Sequence, residues 1–137
     1  MNGSPAAHHE PSIKARFFMA LLPPPDVQAT ATQFKEYFRE HYGSRAALRS
    51  PPHITVFPPF LWADEEIATV SEALANFTQS QVSPTVELRG FGAFPPRVIY
   101  IHVEKTLSLM ALEAALATHL RETLALQAPS RSRNRAF

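Results

Sequence analysis

Residues 52–60 read Pro-His-Ile-Thr-Val-Phe-Pro-Pro-Phe, and this stretch decides how the rest of the chain is interpreted. Side chains on a β-strand point alternately to opposite faces of the sheet. Ile54 and Val56 would therefore share one face, which a hydrophobic core can cover, while His53 and Thr55 would share the other. The pattern predicts a short strand, bracketed by prolines, that holds an imidazole and a hydroxyl roughly 6–7 Å apart on one side.

An imidazole and a hydroxyl on the same strand face can act together on one phosphate group. A histidine donates or accepts a proton near neutral pH. A threonine hydroxyl can donate a hydrogen bond to a phosphoryl oxygen that gains charge during a reaction. An isolated His-x-Thr tripeptide is a weak signal, because an edge strand with a surface histidine and threonine has the same letters. The interpretation therefore depends on the surrounding elements.

The segments on either side of this motif predict an α+β protein. A continuous apolar run at 16–22 predicts a strand covered on both faces, the motif strand spans 53–57, and a hairpin spans 85–94 and 98–104. Apolar residues at helical spacing predict three amphipathic helices, at 26–41, 64–77 and 109–124. Gly43 is expected to end the first helix, and Asp64 to cap the second. The predicted order is β-α-β-α-β-β-α, with no strand after the last helix.

Length and composition limit the possible classes of protein. With 137 residues, 45% of them hydrophobic, the chain is expected to form one domain over 13–137, preceded by a disordered tail at 1–12. The net charge of +1 gives no strong electrostatic reason to grip long nucleic acid. The absence of cysteine excludes disulfides, thiolate metal sites and a cysteine nucleophile. No apolar run approaches the ~20 residues of a transmembrane helix, so no membrane partner is expected. The lack of cysteine fits a reducing compartment, and a cytoplasmic protein is expected.

Taken in order, the segments resemble the two-histidine (2H) phosphoesterases of the 2′-5′ RNA ligase and cyclic phosphodiesterase type. The resemblance rests on the apolar first strand, PPHITVFPPF, an amphipathic helix, FPPRVIYIHV and a leucine-rich last helix, and it covers about residues 16–137. It implies a two-lobed fold with antiparallel sheets and flanking helices, in which each lobe supplies one His-x-Thr motif to a shared cleft. It also implies a mechanism in which the two histidines act as general acid and general base and the two threonines bind the phosphate, with no metal and no cofactor.

On this resemblance, His53 and Thr55 match the first motif and are the expected catalytic residues. Family members typically act on 2′,3′-cyclic phosphates or 2′-5′ linkages at RNA ends, so a small cyclic nucleotide or an RNA end is the expected partner. The sequence contains no second His-x-Thr. The strands that would carry it are therefore expected to be missing, and activity to be impaired. His102 is not expected to substitute, because Glu104 stands where the motif requires a threonine and would repel a phosphate.

Two further residues are expected to contact the substrate. Phe57 would stack on a base, although packing in the core is compatible with the same pattern. Arg97, after the hairpin turn, would face an anion, although a solvated turn arginine is equally compatible. The alternatives to an active enzyme are a non-catalytic nucleotide- or RNA-binding module and an inactive truncated gene product. A missing strand would leave a sheet edge open, which predicts self-association.

Overall fold

A computed structural model describes residues 12–128 of the chain. The elements of this part follow the predicted order and confirm the α+β class. They are β1 (Lys14–Leu21), α1 (Pro25–Tyr42), β2 (Ile54–Ala63), α2 (Ile67–Thr78), β3 (Leu88–Phe94), β4 (Val98–Val103) and α3 (Leu107–Leu124). Nearly all of the predicted tail, and the segment 129–137, lie outside the described residues.

Between residues 12 and 128, four strands form two antiparallel pairs, as predicted for this class of fold. β1 pairs with β2, and β3 pairs with β4 in a hairpin. Up to residue 128, α3 is followed by no further strand. The expectation that strands are missing from the C-terminal part of the fold stays a prediction.

β2 is longer than the sequence predicted, because Pro58 and Pro59 lie inside the strand instead of ending it. In the register of the sheet, Phe18 of β1 alone lies opposite these two prolines. Two residues facing one make a β-bulge, where the ladder of hydrogen bonds is already interrupted. Proline is tolerated there because its missing N–H removes no regular ladder bond.

The hydrophobic core lies between one face of the β1–β2 sheet and the helices α2 and α3. Leu109 and Leu120 of α3 are completely buried, and Val103 brings the end of β4 into the same cluster. The other core residues with little exposure come from both strands and both helices: Met19, Ile54, Val56, Phe57, Val70, Phe77 and Leu116. The opposite face of β1 is exposed, so the prediction that this strand is covered on both faces is wrong.

The helix ends agree with the sequence in one case and differ in another. Gly43 ends α1 in the left-handed conformation (φ 65°), as predicted. Asp64 does not cap α2, because residues Asp64–Glu66 form a 3₁₀ turn and α2 begins directly after this turn, at Ile67. Trp62 holds this turn by donating its indole N–H to the carbonyl oxygen of Glu66 at 3.1 Å.

Candidate functional site

His53 lies directly before β2, and a backbone contact holds its ring. Its Nδ1 lies 2.8 Å from the carbonyl oxygen of Pro51. A carbonyl oxygen can only accept a hydrogen bond, so Nδ1 carries the hydrogen and the neutral ring presents Nε2 with a free lone pair. The side chain is exposed. Nε2 is therefore placed to accept a proton from a ligand or, once protonated, to donate one.

The loop that leads to His53 is anchored on α1. The ammonium group of Lys35 donates to the carbonyl oxygen of Ser50 at 2.7 Å. Partial burial lowers the pKa of Lys35, because burial disfavours the charged form. Pro51 and Pro52 restrict the backbone between this anchor and the histidine. The anchor and the prolines together position the carbonyl group that orients the imidazole.

Thr55 faces the side of the sheet that is not covered by the core. It pairs with Ala20 of β1, and residues directly opposite each other in an antiparallel pair point to the same face. Ala20 is exposed and Thr55 is half-buried. The flanking Ile54 and Val56 are 9% and 8% exposed, as the alternation predicted. Within residues 12–128 the Thr55 hydroxyl makes no hydrogen bond, which leaves it available to donate to a bound anion.

Sequence reasoning missed an aromatic ring that lies beside His53. The ring centroids of Phe18 and His53 are 5.1 Å apart, and their planes are inclined by 42°. Phe18 is 47% exposed although it belongs to an apolar run. The contact depends on the register between β1 and β2, which the sequence does not specify. The alternation of Lys14 and Arg16 with apolar neighbours is the signal that this face of β1 is turned to solvent.

Phe57 lies on the side opposite to the one predicted. It is 2% exposed, and its ring packs edge-on against Phe60 with a centroid distance of 5.8 Å. The reason is a second irregularity in the sheet: Val56 is an extra residue opposite the step from Met19 to Ala20. An extra residue interrupts the alternation of side chains, so Phe57 follows Val56 into the core. The ring is not available to a base in this structure, and core packing is the reading that the structure shows.

Arg97 lies at the tip of the β3–β4 hairpin and is exposed. Its backbone N–H closes the turn by donating to the carbonyl oxygen of Phe94 at 3.2 Å. Across the described part of the chain, no hydrogen bond or ion pair joins its side chain to His53 or Thr55. Its role as an anion contact stays a prediction.

His102 and Glu104 lie on the same face of the second hairpin. The Nε2 of His102 is 3.8 Å from one carboxylate oxygen of Glu104. The other carboxylate oxygen of Glu104 is 3.9 Å from the Nε of Arg89. A carboxylate beside the imidazole repels a phosphate. This arrangement agrees with the sequence argument that His102 does not provide a second phosphate-binding motif.

The motif is located on an open sheet face. Two grooves of the described surface lie elsewhere: one runs along α1, and one of about 400 Å³ lies between α1 and the β3–β4 hairpin, against Phe34 and Phe91. Neither groove includes His53 or Thr55. Within residues 12–128 there is no group of three or more His, Asp or Glu side chains that could hold a metal ion. In the part of the chain that the structure describes, no helix is both long enough and apolar enough to cross a membrane.

Comparison with known proteins places the chain in a family. A protein of Bacillus pumilus named "Putative phosphoesterase" is 28% identical over 103 residues, which cover 74% of this chain and 57% of the relative. A protein of the same name from Bacillus licheniformis is 26% identical over 109 residues, covering 78% and 62% respectively. The chain thus spans about three fifths of the length of these curated relatives. No solved structure matches it. The sequence profile of the 2′-5′ RNA ligase superfamily matches residues 23–135, most of the chain, and the protein therefore belongs to that superfamily.

Proposed function

We propose that this protein binds and cleaves phosphodiesters at RNA ends, either a 2′,3′-cyclic phosphate or a 2′-5′ linkage, without a metal ion. The observation that carries the proposal is the hydrogen bond from His53 to Pro51, which leaves Nε2 free on the sheet face that also presents Thr55. The names of the Bacillus relatives support phosphoester chemistry for the same family.

In the hydrolysis of a cyclic phosphate, two protons move while one bond forms and another breaks. A water oxygen bonds to phosphorus, and the bond from phosphorus to one ribose oxygen breaks. Nε2 of His53 takes the proton from the attacking water, and a second proton goes to the departing ribose oxygen. The Thr55 hydroxyl donates to a non-bridging oxygen, where negative charge increases.

The second proton is supplied by solvent in this 137-residue chain, because its sequence contains a single His-x-Thr. A positioned acid or base accelerates a reaction by roughly 10²–10⁴-fold. We therefore expect turnover slower by about that factor than in a protein with two such motifs.

A non-catalytic nucleotide-binding module is the second candidate. Among residues 12–128, His53 is the one histidine found on the motif face, which favours this candidate, since binding a phosphate requires donors but no second acid. Turnover distinguishes the two candidates, because a binding module retains affinity for a cyclic nucleotide and releases no product.

The decisive experiment incubates the purified chain with the four nucleoside 2′,3′-cyclic monophosphates and determines which ribose oxygen carries the product phosphate. We expect one positional product, unchanged by a chelator and abolished in His53→Ala. His41→Ala, at an exposed histidine of α1, is the matched control and should keep full activity. Activity that survives His53→Ala, or that disappears together with a stoichiometric metal, would contradict the proposal.

A further inference from the structure

A stripe of exposed side chains extends along β1 away from the motif. Lys14, Arg16, Phe18 and Ala20 are all exposed, and the residues between them are buried or half-buried. This is the alternation expected of a strand with one face in the core and the other in solvent. The exposed face of β1 therefore carries two cations and one aromatic ring in a row.

The stripe lies on the same sheet face as the His-x-Thr motif. Ala20 is directly opposite Thr55, and the ring of Phe18 contacts the imidazole of His53. Side chains two residues apart on a strand are about 6.6 Å from each other. Along the surface, the His-x-Thr motif is therefore followed by Phe18, then by Arg16 and then by Lys14. Successive side chains of β1 in this row are about 6.6 Å apart.

We propose that this exposed face of β1 binds the nucleotides that precede the reacting end of an RNA strand. The base next to the scissile phosphate stacks on Phe18, and Arg16 and Lys14 bind the phosphates of the nucleotides before it. The inference rests on the proposed function and adds that the β1 face makes the protein bind an oligonucleotide end more tightly than a free cyclic mononucleotide.

The chemistry of the three side chains fits such a strand. Exposed aromatic rings are stacking platforms for unpaired bases, and every base has a face to offer. Arginine binds phosphate through two parallel hydrogen bonds, and lysine binds it as a point charge. The distance between side chains two residues apart on β1 is comparable with the distance between successive phosphates in an extended single strand.

The charges of the stripe are available to a ligand, and the stripe has a defined end. In the described ranges, neither Lys14 nor Arg16 takes part in a salt bridge. Lys14 pairs with Ala63, and the acidic turn Asp64–Glu66 follows immediately. Further phosphates would meet carboxylates there, so the surface is suited to a short segment of the strand.

The test measures the affinity of the 137-residue chain for two probes, adenosine 2′,3′-cyclic monophosphate and a triadenylate that ends in the same cyclic phosphate. We expect tighter binding of the triadenylate. Arg16→Gln should weaken it several-fold and reduce the slope of log affinity against log salt by about 0.7, with the mononucleotide unaffected. Arg121→Gln, at an exposed arginine of α3, is the matched control and should change neither probe.

The aromatic part of the inference is tested with two substitutions at Phe18. Phe18→Leu should weaken both probes by about tenfold, while Phe18→Trp keeps the affinity. Because Phe18 is exposed, both variants are expected to fold, which circular dichroism verifies.

The outcomes separate the inference from the proposed function. Equal affinity for the two probes, or equal effects of Arg16→Gln and Arg121→Gln, would overturn the inference and leave the proposed function in place. A chain that binds neither probe, or that cleaves both equally fast in His53→Ala, would overturn the proposed function itself.

Discussion

The Nδ1 of His53 and the carbonyl oxygen of Pro51 are 2.8 Å apart, and this contact selects the tautomer of the neutral imidazole. We expect nitrogen-15 NMR, at a pH where the ring is neutral, to show a protonated Nδ1 and a bare Nε2 for His53. His102 is the control, since its Nε2 faces a carboxylate that favours a hydrogen on that atom. A His53 ring with its hydrogen on Nε2 would show that the Pro51 contact does not form in solution.

Thr55 allows the hydroxyl group to be tested separately from the shape of its side chain. Thr55→Val keeps the volume and removes the donor, so we expect kcat to fall by about 10²–10³-fold, as for the loss of one donor to a transition-state oxyanion. Thr55→Ser keeps the donor and should retain most of the activity. Steady-state kinetics with a 2′,3′-cyclic nucleotide provide the measurement. Equal losses in the two variants would assign Thr55 a packing role.

Substitution of Phe57 tests whether its side chain packs in the core or contacts the substrate. It is 2% exposed, so Phe57→Leu should lower the free energy of unfolding by about 1–2 kcal/mol through lost packing. Urea denaturation checks this value. The affinity of the folded variant for a cyclic nucleotide should stay that of the original chain. A tenfold loss of affinity without loss of stability would instead support the stacking role that the sequence pattern suggested.

The half-buried carboxyl group of Glu113 should make the stability of the protein depend on pH. Burial raises the pKa of this carboxyl group, and the positive charge of Lys105 opposes the shift in part. A carboxyl group with a raised pKa binds its proton more readily in the folded state, so its contribution to stability is present at low pH and is lost as the pH rises through the folded pKa. Glu113→Gln should therefore stabilise the protein at neutral pH, and the gain should shrink towards about pH 3–4, below the ordinary glutamate pKa.

The control for this prediction lies on the same helix. Glu122 is exposed, so Glu122→Gln should change the unfolding free energy little at either pH. Urea titrations of the two variants and the original chain at both pH values provide the comparison. A gain for Glu113→Gln that is equal at neutral and acidic pH would show that burial of the charge is not its cause.

Much of the fold could be predicted because each element carries a local signal. The apolar spacing of the helices and the glycine at position 43 depend only on neighbouring residues, and they gave the order of elements and the end of α1. The extent of β2 could not be predicted in this way. Proline normally ends a strand, and only the pairing with β1 shows that Pro58 and Pro59 lie at a bulge, where proline is accommodated.

The candidate site shows the same division between local and non-local information. His53 and Thr55 could be placed from the alternation around Ile54 and Val56, which the structure confirms to be buried. Phe57 could not, because an extra residue in β2 reverses its direction. The contact of Phe18 with the histidine joins residues far apart in the chain, so it becomes visible only with the register of the sheet.

Consecutive prolines in β2 also affect how the sheet meets other molecules. Proline has no N–H, so the backbone of β2 offers no hydrogen-bond donor at Pro58 or Pro59. Within residues 12–128, β2 pairs with β1 alone, and a strand from another copy that approached its other edge would find no donor at the two prolines. The same two residues that lengthen the strand beyond its expected end thus make β2 a poorer template for pairing with a second copy of the chain.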